Sequence, residues 1–133
     1  MELKDAALAW TRRTWMTLAA VGGFIAVAVG AFAAHGVADP QAKEWLKTGA
    51  QYGFMHTMAT FACATFMNIG AKRARLAPAF FLSGVVFFSG SLYAMAFGAP
   101  RWLGAITPIG GVLFLIGWAI LAWAARDVDQ PAA

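Results

Sequence analysis

The sequence predicts an all-α, polytopic membrane protein: a bundle of four transmembrane helices, with short interfacial helices at the N-terminus and in the first loop. Three observations predict it. Hydrophobic residues make up 61% of the 133 positions and charged ones 12%, with a mean hydropathy of +0.66; soluble domains hold about 45–50% apolar and about 25% charged residues. Four apolar segments follow one another, each close to the twenty residues that cross about 30 Å of hydrocarbon at 1.5 Å per residue. The ten Lys and Arg residues collect at the ends of those segments, where they set topology.

The composition excludes a water-soluble catalytic module, because a soluble domain of this length needs far more polar surface. The net charge of +4 does not point to nucleic acid, since the cations form no patch with exposed aromatics. The expected partner is the lipid bilayer, with a larger membrane complex or a homo-oligomer beyond it. Cys63 is the single cysteine and admits no intramolecular disulfide.

Residues 1–14 form the N-terminal interfacial segment, with Leu3, Ala6, Ala7 and Trp10 at helical spacing among charges. Residues 15–125 hold the four-helix domain, and residues 126–133 a frayed C-terminal tail. Span one is Trp15 to Ala34, with Gly22, Ala26, Gly30 and Ala34 as a small-residue stripe for close helix approach. Asp39 and Pro40 start the next helix as cap and first residue. Gln41 to Thr48 reads as an interfacial helix that runs into span two, Gln51 to Asn68, near Gly49 and Gly53, where a bend is expected. Lys72, Arg73 and Arg75 make a basic turn before span three, Ala77 to Phe97, with Gly90, Ala94 and Gly98 as a second small-residue stripe. Span four is Ile106 to Ala124, opened by Thr107 and Pro108. Seven basic residues lie on the side of the termini and middle turn and three on the other, which places both termini in the cytoplasm. Trp15 and Trp123 are then inner interface markers, and Trp45 and Trp102 outer ones.

Span two carries the chemistry. Tyr52, His56, Thr60 and Cys63 fall within a sector of roughly 80° on a helix, and hydrocarbon drives such a stripe toward protein at a cost of about 2.5 kcal/mol or more for an ionisable group left outside. His35, Tyr52, His56, Ser89, Ser91 and Tyr93, with Thr107, are expected at one level in the outer third of the membrane. Two imidazoles from different helices, His35 and His56, are the candidate ligands for a haem iron, copper or zinc, or a proton relay. No acid or thiolate stands at matching depth, so the metal and any cofactor stay unassigned. A structural hydrogen-bond network among the same groups is the favoured alternative. No phosphate loop, Ser/His/Asp triad or carboxylate pair is present, and no catalytic residue is assigned.

The runs Val29-Gly-Ala-Phe-Ala-Ala-His-Gly36, Tyr52 with His56, Phe88-Ser-Gly-Ser-Leu-Tyr93, Leu103-Gly-Ala-Ile-Thr-Pro-Ile-Gly-Gly111 and Gly117-Trp118 resemble a family of small inner-membrane proteins, domain of unknown function four-two-three, related to the animal transmembrane protein two-five-six. The resemblance covers roughly Trp15 to Trp123. It implies four helices in the inner membrane and carries no established activity. Ala33 stands where the family pattern usually has Gly, and Gly53 where a polar residue is common. The functional expectation is an accessory, assembly or structural subunit of a membrane complex. The alternative is binding or transport of a small ligand, metal, haem or proton through the His/Tyr/Ser cluster; an enzyme ranks third.

Overall fold

The computed structural model describes residues 10–130 and contains four long helices. Helix α1 spans Arg12–His35, α2 Pro40–Asn68, α3 Ala77–Ala96 and α4 Thr107–Ala124, with 3₁₀ turns at Lys72–Leu76, Arg101–Ala105 and Ala125–Asp127. Among the described residues α1, α3 with its preceding turn, and α4 with its flanking turns are long and apolar enough to cross a membrane. Helix α2 falls short of that hydropathy because Gln51, Tyr52, His56, Thr57, Thr60 and Thr65 interrupt it. The all-helical membrane architecture therefore stands, with three candidate spans by composition.

Local chemistry sets the helix ends. The Thr11 hydroxyl accepts the Thr14 amide at 3.3 Å, and Asp39 Oδ2 accepts the Ala42 amide at 2.8 Å with Pro40 following in the first helical position. Gly70 and Gly98, at φ +109° and +105°, take the left-handed conformation that turns the chain after α2 and α3.

Two expectations on helix boundaries are corrected. The interfacial helix at Gln41–Thr48 is not separate: α2 runs unbroken for 29 residues, about 43 Å. Gly49 and Gly53 lie inside the continuous helix, where their missing side chains serve contact; an added carbon on Gly49 would lie 2.6 Å from the Tyr93 ring, and one on Gly53 3.0 Å from Ser89 Oγ. Of the N-terminal interfacial segment, residues 1–9 lie outside the described residues, and α1 already begins at Arg12. The tail is tied as far as Asp129. Asp127 pairs with Arg73 at 3.5 Å, and the Asp129 amide donates to the Ile69 carbonyl at 2.9 Å.

The helices stand in chain order, each packed on the next, and α1 and α4 share no packing interface. The small-residue stripe of α1 does meet α2: an added carbon on Gly22 would lie 2.7 Å from Thr57 Cγ2 and one on Gly30 3.6 Å from Ala50, with Ala26 buried between them. Between α3 and α4, Phe81 lies on Gly117, Gly84 on Phe114, Phe88 on Gly110, and Ser91 on Thr107, so each step along one helix is matched by an equal step back along the other. The main core lies toward the end that carries the termini. Trp15 belongs to it with Ala59, Cys63, Phe81 and Leu121, so this tryptophan faces protein where an interfacial anchor was expected. Trp102 and Trp123 are exposed.

A carbon added to Gly110 would collide with the backbone nitrogen of Phe88, whereas one on Gly111 meets nothing within 4 Å. Gly110→Ala is expected to lower the thermal unfolding midpoint in detergent, at a cost of about 1–3 kcal/mol. Gly111→Ala should hold or raise it, since alanine inside a helix is favoured over glycine by about 0.5–1 kcal/mol. Equal behaviour of the two variants would contradict the α3–α4 register.

Candidate functional site

Helix α2 turns His56, Thr57, Thr60 and Cys63 inward, and all four are buried. The hydroxyls of Thr57 and Thr60 donate to the carbonyls of Phe54 and His56 in their own helix, at 2.9 and 2.8 Å. His56 is the one that reaches another helix. Its Nδ1 lies 2.7 Å from the Tyr52 carbonyl, and the Trp118 indole donates to its Nε2 at 3.0 Å.

Those two partners fix the imidazole's tautomer. A carbonyl only accepts and an indole N–H only donates, so the ring proton sits on Nδ1 and the lone pair on Nε2 faces Trp118. Aromatic rings hold the orientation. Phe114 stacks on the imidazole at 3.5 Å between centroids and 5° between planes, while Phe81 and Trp118 approach at 5.8 and 5.9 Å. A metal at Nε2 would have to displace the indole. Among the described residues, no three His, Cys, Asp or Glu side chains converge on a metal position.

A second layer of polar contacts lies nearer the other end of α3. Ser89 donates to the Gly49 carbonyl at 2.6 Å, joining α3 to α2, with the Tyr93 ring packed on Gly49. Ser91 donates to the Phe88 carbonyl at 2.9 Å, which leaves its oxygen to accept the Thr107 hydroxyl at 2.6 Å and joins α3 to α4. Gly84, level with the His56 ring's neighbour Phe114, is five residues from Ser89. That is about 7.5 Å along the helix.

The six sequence candidates thus fall into three groups. Tyr52 and His56 join the aromatic layer, Tyr52 through its carbonyl and through its ring, 5.0 Å from Phe88. Ser89, Ser91 and Tyr93 make the hydroxyl layer. His35 joins neither. It is exposed at the end of α1, and the Gly22–Thr57 and Gly30–Ala50 contacts put it level with about residue 45, roughly 16 Å along the axis from His56. The expected single level does not hold, because α2 starts eleven residues before the apolar run that the sequence suggested. Phe81, Phe114 and Trp118 carried no expected role at this site. The legible signal was Trp118 itself, a tryptophan in mid-helix whose N–H needs a partner away from any interfacial belt.

In a double-mutant cycle, Trp118→Phe and His56→Phe are each expected to destabilise the detergent-solubilised protein. Their coupling should be about 0.6 kcal/mol, with about 1.7 kcal/mol as the ceiling for bonds of this kind. Additive single-variant losses would show that the two rings do not share the bond.

Sequence comparison agrees with this picture of a helical membrane protein. The family described as protein of unknown function (DUF423) matches residues 29–111. A membrane protein of Haemophilus influenzae in the group called UPF0382 is 47% identical over 115 residues, covering 84% of this chain and 93% of the relative. The UPF0382 inner membrane protein YgdD of Escherichia coli K12 is 38% identical over 118 residues, 84% of this chain and 88% of its own. A UPF0382 membrane protein of Staphylococcus epidermidis is 37% identical over 112 residues, 82% and 92% respectively. No solved structure matches the chain. With the family match covering more than half of the sequence and relatives aligned over nearly their whole length, the chain belongs to the membrane-protein family of unknown function DUF423.

Proposed function

We propose that this protein is an accessory, assembly or structural subunit of a membrane complex, crossing the inner membrane four times with both termini in the cytoplasm. The fourth crossing is α2. It is long enough at 29 residues, it lies between two helices of membrane-spanning composition, and His56, Thr57 and Thr60 in its middle are turned into protein. The inner-membrane name of the Escherichia coli relative and the excess of Lys and Arg on the side of the termini support the placement.

The observation that carries the reading is the closed interior. Among the described residues every buried side-chain nitrogen and oxygen has a hydrogen-bond partner, and His56 uses both ring nitrogens. What the protein offers to others is therefore its outside: α1 and α4 flank an open row and display Phe24, Val27, Val112 and Leu115. Ligand, metal or proton traffic through His35, Tyr52, His56, Ser89, Ser91 and Tyr93 has less support, because these side chains are split between levels and His56, Ser89 and Ser91 are committed to bonds that join the helices.

Gentle extraction from the protein's own membrane, followed by sizing and identification of what travels with it, tests the proposal. The expected particle is larger than the 14.1 kDa chain and contains a second protein or further copies. A lone monomer under every mild condition would count against it.

A further inference from the structure

Beyond any role in a complex, we propose that the protein binds one anionic phospholipid at the end carrying the termini, its phosphate held by Arg12 and Arg75 and one acyl chain lying between α1 and α3. A cavity of 410 Å³ at that end is lined by Trp10, Arg12, Trp15, Met67, Arg75 and Leu76. Two arginines and two tryptophans frame it. Among the described residues no carboxylate pairs with Arg12 or Arg75, and the ion pair at this end is Arg73 with Asp127. Arg12 is held in place by the Asn68 side chain, which accepts from Nη1 at 3.0 Å, and its fork keeps further N–H donors for an anion. Arg75 spends one donor on the Lys72 carbonyl at 3.4 Å. Arginine forks match phosphate oxygens in geometry and charge, and basic pockets between helices at a membrane surface suit phospholipid headgroups.

The cavity has an apolar continuation, which separates a lipid from a free phosphate. Trp10 also walls a groove formed by Leu18 of α1 and by Ala79, Leu82 and Val86 of α3. Val86 in turn walls the next hollow, with Ile25 of α1 on one side, Gly90 and Tyr93 of α3 on the other, and Gly53 of α2 as the floor. From Ala79 to Tyr93 the trough runs about 21 Å, longer than one leaflet's half of about 30 Å of hydrocarbon. It is open at Gly90, where an added carbon meets nothing within 4 Å. A charged head at one end and an apolar trough beyond it, long enough to take an acyl chain across its leaflet, have the shape of one phospholipid chain with its phosphate.

The test uses purified, delipidated full-length protein in neutral detergent, titrated with dioleoylphosphatidylglycerol, dioleoylphosphatidylcholine or inorganic phosphate, with bound lipid counted by native mass spectrometry. The expected result is retention of one phosphatidylglycerol, with phosphatidylcholine and inorganic phosphate held far more weakly. Arg75→Gln, at an exposed position whose bond stays within its own turn, should weaken phosphatidylglycerol binding about fivefold. Arg101→Gln, a cation at the opposite end of the helices, should not. Val86→Phe, at a position 66% exposed, should narrow the trough and weaken both lipids. Equal retention of the two lipids, or phosphate binding as strong as phosphatidylglycerol, would overturn the proposal. So would equal losses from Arg75→Gln and Arg101→Gln, or a Val86→Phe variant that binds as well as the parent.

Discussion

Hydrocarbon neither donates nor accepts a hydrogen bond, and that single property arranges the inside of this protein. Each polar side chain buried in α2, α3 or α4 ends on a partner, and the partners fall into two classes. Thr57 and Thr60 close back on carbonyls of their own helix, which satisfies them without specifying any neighbour. His56, Ser89 and Ser91 reach across to Trp118, Gly49 and Thr107, and these cross-helix bonds set which helices stand side by side and in what register. Bonds of the second class average about 0.6 kcal/mol in membranes, so the three act together as a specification and not as the main source of cohesion.

Cohesion comes from close packing at small residues. Gly84 and Gly110 let the backbones of α3 and α4 touch, Gly117 receives the Phe81 ring, and Gly22 receives the Thr57 methyl. In lipid no hydrophobic force draws two apolar helices together, and contact area gained by removing side chains substitutes for it. The aromatic layer around His56 adds to this. Phe114 stacked on the imidazole brings the polar ring into a face it would otherwise be costly to approach.

The helices were legible in the sequence because bilayer thickness, caps and glycine turns leave few choices: Asp39-Pro40, Pro78, Gly98 and Thr107-Pro108 mark boundaries that the structure keeps within a residue or so. The length of α2 was harder to read. Lys43, Glu44 and Lys47 look interfacial, yet nothing in Thr48 to Gly53 forces a break, and the two glycines serve contact with Ser89 and Tyr93. That misplacement carried over to the candidate site, since counting depth from Gln51 set His56 level with His35. The inward stripe on α2 was visible from its period alone. Its aromatic partners were not, because Phe81 and Phe114 look like ordinary lipid-facing residues until the α3–α4 register is known.

The Arg73–Asp127 pair and the bond from the Asp129 amide to the Ile69 carbonyl fasten the end of α4 to the turn after α2, with the Arg73 guanidinium 4.3 Å above the Trp123 ring. Residues 69 and 129 are sixty positions apart, so this latch cannot close until the two helices between them have been made. Until residue 129 has been made, α1 and α2 can pair with each other but the turn after α2 lacks its fastening to the end of α4.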